Sequence, residues 1–488
     1  DGINQMVTVS TSGDASGTSS SSGTVRVDSR ADSDSSDYTA NANATGNGIA
    51  QAVFAGTFGD ATGNISTSGA GTFDVDVTAT ADAPNSSAAA QAGGDGLRQR
   101  VTANSGSATG TITTSAGDDI STSTLASANA SAFANADSDA SGIDQIVSVS
   151  TSGNASGTIT NNGTVRASAV ADAVSTNASG SADADTNGIG QSVRAGSQFG
   201  DATGAITNAS TSSVDAFALA EVSAFGNANA DADADAIDQD VNASNGNASG
   251  TVTNSGAVTA NAIAEADSSN ANANASADTN GIDQDVTAST GAATATISNG
   301  EVSSVDAFAN AVAEAMGNAN AQADADGISQ SAMTTFSGDA SGTISSSGTI
   351  TVGATADALS GSSMASGNAN AAGIAQTVTS TSGNASGDIT RSGALEALAV
   401  AWASASGNAA ANADANANGI SQDIDAGASF GFSFDATGNI SASGNVSANA
   451  NAIADSEQGS AYADAYTNVI RQDVDSNSGN ASGTLAFG

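Results

Sequence analysis

Gly142-Ile143-Asp144-Gln145-Ile146-Val147, with Ser152-Gly153-Asn154-Ala155-Ser156-Gly157-Thr158-Ile159 close behind it, is the stretch that decides the fold. Ile143, Gln145 and Val147 alternate with outward-pointing partners, the period of a half-buried strand. Gly153 and Asn154 supply the left-handed backbone of a tight reversal, after which Gly157-Thr158-Ile159 resumes the alternation. A second turn signal follows at Asn161-Asn162-Gly163.

The same unit fills the chain. Apolar-x-Gln recurs at Gln5, Gln51, Gln99, Gln145, Gln191, Gln239, Gln284, Gln330, Gln376, Gln422 and Gln472, spaced 45 to 50 residues apart and usually 46. Such regularity over 488 residues means one supersecondary unit copied in tandem, each copy burying its apolar face against its neighbours. The expected organisation is a single array, residues 1–488, with repeats starting near 1, 47, 95, 141, 187, 236, 280, 326, 372, 418 and 468. Extra residues at Gly427 to Phe434 read as a loop protruding from one coil.

Alanine dominates the second half of each unit, as in Ala271-Asn272-Ala273-Asn274-Ala275-Ser276-Ala277-Asp278. Alanine favours helix, and Asp306 to Asp324 is the strongest helical candidate. Asn, Asp, Ser and Thr disfavour helix interiors, however, and the period is two. These segments therefore read as strands whose alanine faces meet across a core thinner than the usual ~10 Å. Aromatic content of 3% and abundant Gly, Ser and Asn suit disorder, but apolar residues held at fixed repeat positions do not.

The expected fold class is all-β, a rod-like β-solenoid of about eleven repeats. Equivalent side chains would stack about 4.8 Å apart, and a carboxamide suits such a column because it both donates and accepts. All eleven glutamines are read as one structural ladder. The unit could be one broad coil or two of about 23 residues. One broad coil avoids alternating thick and thin layers. Two small coils agree better with the usual size of solenoid repeats, and the 21 residues from Gln472 through the chain end to Gln5 of a second molecule come close to half a unit. The smaller coil is the expectation.

Ile374-Ala375-Gln376, with Gly383-Asn384-Ala385 beginning nine residues after Ile374, resembles the curlin repeat of bacterial curli fibres. The resemblance implies strand-turn-strand coils with stacked Gln and Asn, secreted and assembled end to end into matrix amyloid. It covers the first half of each unit. The second curlin Gln is replaced by Ile159, Val252 and their equivalents, and the alanine half has no curlin counterpart. Gly157 to Val165 is also similar to coils of secreted adhesins and autotransporter passengers.

Composition narrows function. His, Cys and Lys are absent, which removes most nucleophiles, bases and soft-metal ligands and argues against an enzyme. Net charge of −42 leaves no basic stripe for nucleic acid and disfavours anionic membrane surfaces. No apolar run approaches the ~20 residues of a membrane span. The chain opens at Asp1 without an apolar leader, so any export signal is expected to have been removed already. Asp or Asn recurs at the turn, and Asp14, Asp60, Asp201, Asp339 and Asp435 are the candidate ligands should a calcium ion bind there. The ordinary reading of that position is a left-handed turn. Phe58, Phe199 and Phe434 read as small caps on the turn, while Trp402, Phe217 and Phe308 should swell the core or face a partner filament.

Both termini look stackable, so the leading expectation is an extracellular filament or biofilm-matrix subunit that polymerises with itself head to tail, other matrix or cell-surface components being further candidate partners. The alternative is a spacer or stalk of a secreted adhesin or surface-layer protein. Ice binding is disfavoured because Thr-x-Thr alternation is sporadic along the chain.

Overall fold

The computed structural model describes residues 1–196, 199–406, 409–427 and 433–488. Among the described residues there is no helix; the chain forms 32 strands in three sheets of eleven, eleven and ten strands. Every pairing is parallel and joins equivalent positions of successive coils. The fold is a parallel β-solenoid.

One coil is one whole repeat. The coil around Gln145 has a long strand, Ala134–Ser152, a short one, Ala155–Asn161, and a third, Thr164–Ser175. The first sheet contains all the long strands, the second all the short ones, and the third sheet the remainder. The expected coil of about 23 residues is therefore replaced by the broad coil. The reason lies in continuity: the alanine stretch runs without a break into the Ile-x-Gln stretch. Within Ala273–Thr290, for example, Ala275 pairs with Ala321 and Gln284 with Gln330. A smaller coil would have laid alanine against isoleucine and left voids. Repeat starts such as Asn280 fall inside long strands, and the helical candidate Asp306 to Asp324 is part of two strands, Ser304–Ala315 and Ala319–Ser337.

Each full long strand carries a phase slip. Up to Ala140 the even-numbered residues of Ala134–Ser152 point inward, then Gly142 and Ile143 are both buried, and from Ile143 the odd-numbered ones do. Glycine fits the slip because a Cβ on Gly142 would lie 2.6 Å from the Gly188 carbonyl oxygen of the next coil and 2.2 Å from Val165 Cγ1. At the following turn Gly153 has φ 127°, and a Cβ there would strike the carbonyl of Gly106.

The interior divides in two. Alanines of the long strands meet alanines of the third sheet, with Ile143, Ile159 and Val165 filling the wider end. A smaller cluster of Val147, Val149, Ala155 and their counterparts lies between the long and short sheets. Eleven strands spaced at about 4.8 Å stack about 50 Å high, and long strands of 16 to 19 residues at about 3.3 Å each span some 50 to 60 Å. The eleven coils are about as broad as they are tall, so elongation beyond that requires further coils. Of the expected loop at Gly427 to Phe434, residues 428–432 lie outside the described residues.

Candidate functional site

The glutamines occupy the boundary between the two apolar clusters. Nε2 of each Gln from Gln51 to Gln472 donates to Oε1 of the preceding one, ten bonds of 2.7–2.9 Å. The second amide proton of Gln145 goes to the Thr158 carbonyl on the facing short strand at 3.3 Å, and its equivalents in other coils do likewise. Nine of the eleven are buried, with both protons used, so no desolvated donor is stranded. Gly157 faces the column, where a Cβ would sit 2.8 Å from Gln145 Oε1; Ala295 is the counterpart in the seventh coil, and Gln284 there keeps both its bonds, at 2.7 and 3.3 Å.

A second polar column, not read from the sequence, closes the short strands. Asn161, Asn208 and Asn254 each donate to the following member at 2.8–2.9 Å, and Asn299 donates to Ser346 at 3.2 Å. Thr114 donates into Asn161 at one end, and Arg391 donates to Ser346 at the other. Arg391 is buried with no ion pair among the described residues, and desolvation lowers its pKa to about 10. Near the same corner, the buried Asp118 carboxylate accepts from Thr67 Oγ1 and from the backbone of Gly71 (2.8 Å) and Ser115 (2.6 Å). Asn161-Asn162-Gly163 read only as a turn; the signal for the ladder was Asn recurring every 45 to 47 residues in four copies.

The turn candidates each make a contact to the next coil. Asp14 Oδ1 accepts from the backbone N–H of Asp60 at 3.0 Å, Asp60 from Ser107, Asp201 from Asn247, Asp339 from Asn384 and Asp435 from Asn480. Each clips its turn to the next coil, a task Asn154 and Asn247 perform equally. No group of three or more acidic side chains among the described residues has metal-holding geometry.

Carboxylates gather instead on the outer face of the long sheet. Asp139, Asp185, Asp233, Asp278 and Asp324 stack in one column through five successive coils. Desolvation first, then neighbouring carboxylates, raise Asp185, Asp233 and Asp278 to about 7. Asp238 in a neighbouring column reaches about 8 for the same reasons. Asn370 and Asn416 continue the main column, and Asn370 donates to Asp324 at 2.5 Å.

The short sheet shows a third surface. The outward positions of Ala155–Asn161 are Ser156, Thr158 and Thr160, and their counterparts are mostly Ser or Thr, so a pattern sporadic along the chain is columnar across coils. Phe58 and Phe199 are largely exposed and cap nothing, whereas Phe434 packs against the smaller cluster. Trp402, Phe217 and Phe308 point outward from the third sheet and leave the core unswollen. No family model, curated protein or solved structure matches the chain.

Proposed function

We propose that this chain is a structural element of an extracellular filament or biofilm matrix, elongating head to tail by strand stacking. The observation that carries the reading is that the glutamine ladder and its strand register reach both outermost coils unbroken, from Gln5 to Gln472. The outermost long strands, Ile3–Val9 and Ala461–Ser476, each pair on one edge only, and an unpaired edge recruits another strand. Because every bond of the ladder points the same way, one end of any such array offers an amide proton and the other an acceptor. Joining is thus heterologous, the geometry that generates open fibres. The resemblance to curlin repeats favours the same class.

The test is incubation of the purified chain at high concentration, followed by electron microscopy and fibre diffraction. Fibres with an axial repeat near 4.8 Å are expected. Persistent monomers by light scattering, with no fibres, would retire the reading in favour of a stalk whose ends are occupied by other domains.

A further inference from the structure

The third sheet carries an uncharged stripe on its outer face. From the strand Asp119–Ala130 to the strand Val446–Ser456, two adjacent outward columns contain no charged residue at any of their sixteen positions. In a chain of net charge −42 that is a marked segregation. One column holds Leu125, Val170, Leu219 and Ile263 in four successive coils. The other holds Phe217, Phe308 and Leu398, and Phe308 lies across Gly353 of the next coil, where a Cβ would be 2.9 Å from the ring. That contact carries the apolar ridge past its narrowest coil to Leu398, Val400 and Trp402. Leu125, Phe308, Leu398 and Trp402 are 38 to 50% exposed.

Charge borders the stripe. Arg166, Asp215, Asp306 and Glu396 stand on one side, and Asp172, Glu221, Glu265 and Asp357 on the other. An uncharged centre, apolar at half of its sixteen positions, within a charged rim has the anatomy of a protein interface. Two columns about 13 Å wide over eight strands about 38 Å high cover some 500 Å². Including both rims, the footprint is about 1,000 Å² per partner, enough for a stable pairing.

We propose that this face docks a second copy of the chain, third sheet against third sheet, giving laterally paired solenoids. The occupant follows from the surface itself: a flat ridge repeating at the coil spacing is matched along its whole length only by a surface with that same spacing, and another copy has one. The acidic outer face of the long sheet repels its own kind, and the outer face of the short sheet is mostly Ser and Thr without the large apolar side chains of the third sheet. Rim carboxylates oppose association at low ionic strength, and salt relieves that opposition. Lateral pairing is independent of end-to-end growth.

Trp402 is the sole tryptophan and lies beside the stripe with one strand, Val446–Ser456, between it and the open edge of the third sheet, so its emission reports docking and the charge variants separate that signal from end-to-end joining. In molar sodium chloride, a rise in protein concentration should shift Trp402 emission to the blue while sedimentation shows at least a doubled mass. L219E combined with L398E should abolish both changes and leave circular dichroism and melting intact; V170K with T355K, also outward-facing, serves if that pair fails to fold. Emission indifferent to concentration and salt would overturn the proposal, even if the mass rose through the ends. So would charge variants that associate as the wild type does.

Discussion

Two stacks of identical polar side chains, one sealed and one open, behave oppositely. The glutamine column runs through all eleven coils, because an amide is its own partner: each donates down the stack and accepts from above. The aspartate column on the outer face of the long sheet lasts five coils and then passes to Asn370 and Asn416. An ionised carboxylate only accepts, so neighbours at the coil spacing repel. A self-partnering residue permits a long column without imposing one, since the amides of the Asn–Ser–Arg column give way to Ser346 after four coils.

The sharpest way to break this comparison is to put a carboxylate in the sealed stack. Gln239→Glu deprives Gln191 Oε1 and the Thr251 carbonyl of their donor and buries a charge. We expect a loss of about 4 kcal/mol or more in urea unfolding at pH 8, shrinking sharply at pH 4, where a protonated Glu again donates. The open stack should respond to pH in the wild type. Asp185, Asp233 and Asp278 have folded-state values raised to about 7, so the folded chain binds more protons than the unfolded one between about pH 4 and 7. Stability therefore falls as pH rises through that window, and calorimetry should give a higher Tm at pH 5 than at pH 8. Asp233→Asn, which places in mid-column what Asn370 supplies naturally, should add about 0.5 to 1 kcal/mol at pH 8 and nothing at pH 4. Asn254→Ser should cost less than about 1 kcal/mol, since Ser346 already serves in that column. Removing divalent cations with EDTA should leave Tm unchanged; a drop would point to calcium at the turn carboxylates.

The strand character and the glutamine ladder were legible because their signal repeats within view: an apolar-x-Gln every 46 residues, with alternation of two on either side. Coil size was not, because the usual size of solenoid repeats and the 21 residues from Gln472 round to Gln5 favoured a half-length coil, whereas the two halves are joined by extended strand through Thr279-Asn280-Gly281. The register of Thr279 with Ala325 and of Asn280 with Asp326 in the next coil holds it straight, and no local propensity reports that. The acidic column and the uncharged stripe were hidden for a related reason. Their members are 44 to 51 residues apart and meet only once the coil length is fixed. The turn aspartates were located correctly, but their Oδ1 atoms are engaged by the next coil's backbone, a partner the sequence does not display.

The phase slip at Gly142 and its equivalents bears on how such a gene can change. Tandem copies recombine unequally, and most crossovers between near-identical repeats are silent because they add or remove a whole coil. A crossover misaligned by one residue within a long strand would move the slip out of line with those above and below. Half of that coil would then turn its alanines to water and its aspartates inward. Folding itself would reject such a product, so the array can drift in length while its reading frame of inside and outside is inherited intact.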